Sequence, residues 1–249
     1  MSTVDSESYR TYSYENAELL CFKSSSLVVL VLSLGFLGVM TRQKLDLKLA
    51  GLLFATLLTY LTGVFLQFMY SIRLVEWNIM LSVHFGVGMF MVSHSLANYV
   101  IRYIYLQITS ISPKIEMVFN IYLALDTLFS IAVYGLWIGS IHSFNSDGRI
   151  TASNLYVGQI AFNELAITAF SYVMIKNFFK NPQNSFRQLS GQGFYSFVLE
   201  RVLHLCNAVI MAIDIVNQTA ISNFLTSFRY CFILMFIWNI RHYFKQKYV

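Results

Sequence analysis

Long apolar segments alternate with short polar segments along almost the whole chain of 249 residues. Segments such as 49–70 and 77–101 contain no Asp, Glu, Lys or Arg. A helix needs about 20 apolar residues to cross the hydrocarbon core of a bilayer, since it rises by about 1.5 Å per residue. The pattern therefore predicts seven membrane-spanning helices, at 19–40, 49–70, 78–101, 117–141, 155–175, 194–216 and 220–240.

The polar segments between the predicted spans are too short to form separate domains. We therefore expect an all-α integral membrane protein, in which 19–241 form a seven-helix transmembrane bundle. Residues 1–18 are expected to form an extracellular polar tail, and 242–249 a short cytoplasmic tail. The first two connections have about eight residues each, so the first three spans should be antiparallel neighbours.

The composition agrees with a membrane location for the whole chain. Hydrophobic residues make up 57% of it and charged residues 12%, whereas roughly 25% of the residues of soluble proteins are charged. The net charge of +5 does not indicate nucleic-acid binding, because most basic residues flank the predicted spans. We expect membrane lipids as surroundings and no nucleic-acid partner. The three cysteines lie within predicted spans and indicate no disulfide framework.

The basic flanking residues predict the orientation of the chain. Cytoplasmic loops of membrane proteins carry an excess of Lys and Arg. Eleven basic residues follow spans 1, 3, 5 and 7, whereas four lie on the opposite side. The N-terminal tail also contains Asp5, Glu7, Glu15 and Glu18. We therefore expect the N-terminus outside and the C-terminus in the cytoplasm, with the protein in the plasma membrane.

Ionisable residues within the predicted spans are candidate functional groups, since a charge is costly in hydrocarbon. Glu164 in span 5 and Arg229 in span 7 have opposite charges at similar depth, and Asp214 lies near the outer end of span 6. We expect these three residues to contribute to a ligand-binding site. A structural ion pair between Glu164 and Arg229 is an alternative. A path for ions or protons, which would include Asp126 in the middle of span 4, is another.

The other polar residues of the spans form no known catalytic or metal-binding motif. The sequence contains no HExxH, GxSxG or GxxxxGKS pattern. His84 and His94 are ten residues apart, which is not the i, i+4 spacing of two ligands on one helical face, so we interpret them as polar packing residues. The inner half of span 6 carries Glu200, Arg201 and His204, with Arg201 directed towards the cytoplasm. We expect no enzymatic activity and no cofactor.

Two motifs at the predicted cytoplasmic ends of the spans bear on function. Span 3 ends in Asn-Tyr-Val-Ile-Arg102-Tyr103, and span 7 ends in Asn239-Ile-Arg-His-Tyr243-Phe. With seven spans and an external N-terminus, these motifs resemble G-protein-coupled receptors, whose third helix ends in Asp/Glu-Arg-Tyr and whose seventh carries Asn-Pro-x-x-Tyr. Four residues match, while isoleucines stand in place of the acidic residue and the proline. The short loops and Phe- and Tyr-rich spans look most like the divergent chemosensory receptors of nematodes.

The resemblance implies a receptor that binds a small molecule in a cavity between the outer halves of spans 3, 5, 6 and 7. The ligand would change the packing of the helices, and their cytoplasmic ends, with Arg102, Tyr103, Asn239 and Tyr243 as the switch, would transmit the change to a heterotrimeric G protein. The alternative from another class is a small transporter with a polar path through Asp126, Glu164 and Arg229. A membrane-embedded enzyme with an unrecognised motif is a third hypothesis.

Overall fold

The computed structural model describes residues 17–43, 45–71, 79–108, 112–143, 146–180, 192–213 and 219–245. Within these ranges almost every residue is helical and none is in a strand, as the apolar segments predicted. The described helices are α1 (Ala17–Arg42), α2 (Leu47–Ser71), α3 (Ile79–Ile108), α4 (Pro113–His142), α5 (Ser146–Lys180), α6 (Gln192–Ile213) and α7 (Thr219–Lys245).

Three of the described helices are long and apolar enough to cross a membrane. The segments are Leu20–Arg42 in α1, Leu47–Met69 in α2 and Pro113–Ser140 in α4. By contrast, α5, α6 and α7 carry polar residues near their middles, among them Asn163, Glu200 and Arg229. These side chains are buried, so the polar residues of the last three helices lie inside the bundle.

The helices pack in chain order around a closed ring. Each contacts the helix that follows it, and α7 contacts α1. In addition, α3 contacts both α5 and α7 across the ring, which places α3 nearest the centre. Tyr122 bonds to Asn163 and Asp126 to Gln159, so α4 and α5 are antiparallel. Asn98 bonds to Asp126 and Arg102 to Asn120, so α3 and α4 are antiparallel as well. We call the end of the bundle where α1, α3, α5 and α7 begin the N-terminal end, and the opposite one the C-terminal end.

The apolar residues of the bundle occupy both its interior and its outer surface. A continuous core joins residues of α1, α2, α3, α4, α5, α6 and α7, with Leu57, Ile167 and Ile237 almost completely buried. Large apolar side chains such as Leu128 of α4 and Leu165 of α5 point outwards, with 63% and 71% of their surface exposed. In water such a surface would favour aggregation, whereas in a bilayer it contacts the lipid chains.

Candidate functional site

Opposite charges from two helices meet in the interior of the bundle. Arg229 of α7 is 1% exposed, and its Nε donates a hydrogen bond to Oε1 of Glu200 in α6 at 2.7 Å. Glu200 is also paired with its neighbour Arg201. Ion pairs that are buried in this way depend strongly on both partners, because removal of one leaves a charge without compensation in a medium of low dielectric constant.

Arg229 is not fully satisfied by Glu200. Its Nη1 and Nη2 atoms are buried and have no hydrogen-bond partner in the part of the chain that the structure describes. The residue lies ten positions after the start of α7, which corresponds to a depth of roughly 15 Å along the helix axis. Buried donors are normally hydrogen-bonded, so these N–H groups can donate to a further polar partner.

Two histidines lie close to the ion pair. The rings of His94 in α3 and His204 in α6 are buried with their centroids 5.7 Å apart. The Arg229 guanidinium is near enough to interact electrostatically with both rings. The Nε2 atom of His94 has no hydrogen-bond partner among the described residues. His94 is therefore a polar group of the central helix α3 that lies next to the charged pair of α6 and α7.

A column of buried polar contacts extends from Arg229 towards the N-terminal end. Nearest to that end, Asn223 of α7 donates from Nδ2 to Oε1 of Gln67 in α2 at 2.9 Å, and its Oδ1 accepts from the Tyr60 hydroxyl at 3.1 Å. Beside them, Asn207 of α6 donates to Oγ1 of Thr226 in α7 at 3.2 Å. Asn223 precedes Arg229 by six residues, or roughly 9 Å.

The column continues to the residue next to Arg229. Ser93 of α3 donates a hydrogen bond to the backbone oxygen of Thr56 in α2 at 2.9 Å, so Tyr230 is the donor in its 2.9 Å contact with Ser93. We call this set of contacts the polar column; its members are Tyr60, Gln67, Ser93, Asn207, Asn223, Thr226 and Tyr230. It connects α2, α3, α6 and α7, and α2 was not among the helices that the sequence predicted for the site.

A second polar cluster surrounds Asp126 of α4. The carboxylate accepts hydrogen bonds from Nδ2 of Asn98 in α3 at 3.1 Å, from Nε2 of Gln159 in α5 at 2.7 Å and from Nδ2 of Asn163 in α5 at 2.8 Å. Gln159 also donates to Oγ of Ser130 at 2.6 Å. All five residues are buried. We call them the Asp126 cluster, and in the described residues no hydrogen bond or ion pair joins it to Arg229 or Glu200.

The predicted cytoplasmic switch residues have partners within the bundle. Arg102 of α3 forms an ion pair with Glu116 of α4 at 3.2 Å and donates to Asn120 of the same helix. The Tyr103 hydroxyl donates to Asp46, which lies just before α2. These contacts tie the C-terminal end of α3 to its two neighbours.

Asn239 takes no part in these contacts. Its Nδ2 donates to the backbone oxygen of Met235, one turn earlier in α7, at 2.7 Å. The side chain of Tyr243 lies outside the described part of the structure, as do the side chain of Glu164 and the whole of Asp214. The roles predicted for these three residues therefore remain predictions.

A small cavity lies on the C-terminal side of the ion pair, between α3, α5, α6 and α7. The volume within which the centre of a water molecule fits is about 20 Å³, which is enough for one ordered water. Its lining is mostly apolar, with Tyr105, Ser171, Glu200 and Arg201 as the polar members.

The described residues contain no group of three or more His, Cys, Asp or Glu side chains placed to hold a metal ion. Cys21, Cys206 and Cys231 are free thiols. No protein-family model, curated protein or solved structure matches the chain significantly.

Proposed function

We propose that the chain is a seven-span receptor of the plasma membrane, with its N-terminus outside and its C-terminus in the cytoplasm. Three features support this proposal. Three of the described helices are long and apolar enough to cross a membrane. The seven described helices form a ring with α3 near its centre. Finally, the buried polar residues that could meet a ligand lie between the helices, where a change in helix packing would alter their contacts.

The observation that carries the proposal is that the two Nη atoms of Arg229 have no partner among the described residues. Arg229 lies at the end of the polar column that is farther from the N-terminal end of the bundle. A guanidinium binds a carboxylate through two parallel hydrogen bonds. We therefore propose a small ligand with a carboxylate group, bound between α2, α3, α6 and α7. Glu164 and Asp214 are proposed to shape the same pocket and to select the rest of the ligand.

Ligand binding would act through the contact between Arg229 and Glu200. A ligand carboxylate on the Nη atoms would share the charge of the guanidinium with Glu200, so it would weaken the bond that joins α7 to α6. A ligand shifts an equilibrium only by its difference in affinity for the two states. In this proposal the state with a loosened α6 is the one that binds a cytoplasmic partner, with a heterotrimeric G protein as the candidate.

The proposal is tested with the conservative substitution Arg229→Lys. Lysine keeps the positive charge for Glu200 but lacks the planar pair of donors, so the protein should fold while the response to carboxylates falls by about 10- to 100-fold. The probe is a panel of small carboxylic acids with their methyl esters, and the readout is intracellular calcium and cyclic nucleotide levels. Equal responses to acids and esters, or an unchanged response of the variant, would contradict the proposed site.

The orientation is tested with epitope tags at the two termini. The excess of basic residues after spans 1, 3, 5 and 7 supports a cytoplasmic C-terminus. In intact cells an antibody should therefore label an N-terminal tag, and a C-terminal tag only after permeabilisation. Labelling of the C-terminal tag in intact cells would show that the C-terminus lies outside and would contradict the proposed orientation.

The switch role of Arg102 is tested with Arg102→Ala. The ion pair with Glu116 is partly exposed, with side-chain exposures of 24% and 40%, so its loss should lower the folding free energy by less than about 1 kcal/mol. Surface expression should persist while agonist-dependent output falls. The matched control is Lys114→Ala, which removes an exposed positive charge at the same end. Full output from the Arg102 variant would leave the residue with a purely structural role.

The second candidate function is a transporter, and the buried carboxylate of Asp126 favours it. A polar path would have to run from the Asp126 cluster to Arg229, but the described residues provide no hydrogen-bonded connection between them. Flux measurements in proteoliposomes separate the two functions. A receptor responds to its ligand without net transport, whereas a transporter moves the same compound and loses this activity in the variant Asp126→Asn.

A further inference from the structure

Asn207 of α6 contains a buried hydrogen-bonding group that the proposed receptor function does not use. The residue is 3% exposed, and its Nδ2 donates to Oγ1 of Thr226 in α7 at 3.2 Å. Its Oδ1 atom is buried and has no hydrogen-bond partner among the described residues. Buried acceptors are normally paired, so this oxygen can accept a hydrogen bond from a bound molecule.

The neighbouring hydrogen bonds determine which end of the Asn207 amide faces Thr226. The Tyr60 hydroxyl donates its only proton to Asn223, with Oδ1 as the nearer acceptor at 3.1 Å. The Thr226 hydroxyl also interacts with the Tyr60 hydroxyl, and it is the donor there because each hydroxyl has one proton. Thr226 therefore accepts from Asn207. This arrangement turns Nδ2 of Asn207 towards α7 and leaves Oδ1 as the end without a partner.

Asn207 lies on the side of α6 that faces Arg229. Glu200, His204 and Asn207 follow one another at intervals of four and three residues, so they share one face of the helix, and all three are buried. Glu200 bonds to Arg229, whose charge also acts on His204. Asn207 lies one turn beyond His204, towards the N-terminal end of the bundle. Its Oδ1 is therefore separated from the guanidinium by roughly one helical turn, or about 5 Å.

The two groups together determine the chemistry of a molecule that satisfies both. The Nη atoms of Arg229 donate, which suits a carboxylate, whereas Oδ1 of Asn207 accepts, which requires a donor. An uncharged donor suits this position better than an ammonium group. The nearby Glu200 carboxylate is already paired with two guanidinium groups, so among the described residues of this face an ammonium group would meet positive charge without a free carboxylate.

We infer that Asn207 selects the ligand of the proposed receptor by accepting a hydrogen bond from an uncharged donor of that ligand, such as a hydroxyl group. The ligand class is a carboxylic acid whose hydroxyl lies roughly one helical turn, or about 5 Å, from the carboxylate. A hydroxyl on the carbon next to the carboxylate does not fit, because it lies within hydrogen-bond distance of that carboxylate. This inference rests on the proposed function, since it requires that the carboxylate binds Arg229.

The test measures binding to the purified full-length protein in detergent from the rise in melting temperature with probe concentration. The probes are pentanoate, its derivative with a hydroxyl on the terminal carbon, the methyl ether of that hydroxyl, and the isomer with the hydroxyl next to the carboxylate. The terminal hydroxyl should lower the apparent dissociation constant by about tenfold relative to pentanoate. The ether and the isomer should bind within about twofold of pentanoate, since neither places a donor at Asn207.

The variant Asn207→Ala removes the acceptor, so it should bind pentanoate and the terminal hydroxy acid equally. The matched control is Asn98→Ala, which removes another buried amide with an unpartnered oxygen, from the Asp126 cluster. This variant should keep the tenfold preference. The comparison of the hydroxyl with its methyl ether on the unaltered protein remains decisive if Asn207→Ala does not fold, because the ether keeps the oxygen and lacks only the donated proton.

The outcomes separate this inference from the proposed function. Equal binding of pentanoate and the terminal hydroxy acid would overturn the inference and leave the carboxylate site intact. Persistence of the preference in Asn207→Ala would assign the hydroxyl to another acceptor and would overturn it as well, as would tighter binding of the terminal ammonium derivative. Equal binding of the acids and their methyl esters, or no shift with any probe, would instead contradict the carboxylate site on which the inference rests.

Discussion

Neutralisation of Glu200 by Glu200→Gln is expected to lower the folding free energy by about 3–5 kcal/mol. The reason is that Glu200 is paired with both Arg229 and Arg201. Arg229 is 1% exposed, so its charge cannot be hydrated when the carboxylate is removed. The Arg201 side chain is less completely buried, with 13% of its surface exposed. Most of the expected loss therefore comes from Arg229.

The converse variant Arg229→Gln should be less harmful, with a loss of about 1–3 kcal/mol, because Glu200 retains Arg201 as a partner. The double variant should be no less stable than Glu200→Gln alone, since the buried charge that lost its partner is no longer there. This asymmetry is the specific expectation of a carboxylate between two guanidinium groups. An isolated pair would instead make the two single variants equally harmful.

The measurement is a double-mutant cycle on the purified protein, with stability determined from unfolding in detergent. The matched control is the cycle of Glu164→Gln with Arg229→Gln, in which the losses should be additive if Glu200 is the principal partner of Arg229. Additive losses in the cycle of Glu200 and Arg229 would contradict the contact at 2.7 Å between them. Strong coupling in the control would assign Arg229 a second carboxylate.

The helical architecture was predictable from the sequence because apolar segments of membrane length leave few alternatives. The lengths of the helices were less predictable. The apolar pattern gave 155–175 for the fifth span, whereas α5 extends over Ser146–Lys180. Polar residues continue a helix beyond the apolar segment without any change in the hydrophobic pattern. Short connections predicted antiparallel neighbours, but the contact between α7 and α1 depends on packing that the pattern does not contain.

The partner of Arg229 was harder to predict than its burial. The sequence analysis paired opposite charges at similar predicted depth, which favoured Glu164 as the partner of Arg229. The contact that the structure describes for Arg229 is with Glu200. The direction in which each residue points around its helix axis decides the contact, and this direction follows from the packing of all the helices together.

The amides around Asp126 were also missed, although the sequence contains one sign of them. Gln159 and Asn163 are four residues apart, so they lie on the same face of α5. A polar face inside an apolar span indicates a hydrogen-bonding partner on a neighbouring helix. The contribution of Asn98 from α3 has no comparable sign, because it depends on the central position of that helix.

The variant Asp126→Leu should lower the folding free energy by about 3–5 kcal/mol, since it removes the acceptor shared by three buried amides. The amide groups of Asn98 and Asn163 would lose the acceptor that the structure describes for them, whereas Gln159 would keep Ser130 and the backbone oxygen of residue 126. Each buried donor left without a partner costs about 1–3 kcal/mol. The apolar leucine recovers part of this loss, but it cannot accept a hydrogen bond.

Asp126→Asn is the informative comparison, because asparagine can still accept hydrogen bonds through Oδ1. It should be more stable than Asp126→Leu by at least about 2 kcal/mol. The matched control is Thr127→Leu, at the next position of α4, which introduces the same apolar side chain. Among the described residues the Thr127 hydroxyl bonds only to the Leu123 backbone oxygen of its own helix, at 2.8 Å, so this substitution should change stability little. All variants are compared by unfolding in detergent under one salt condition. If Asp126→Leu is as stable as Asp126→Asn, the three amides find other acceptors, and Asp126 does not join α3, α4 and α5.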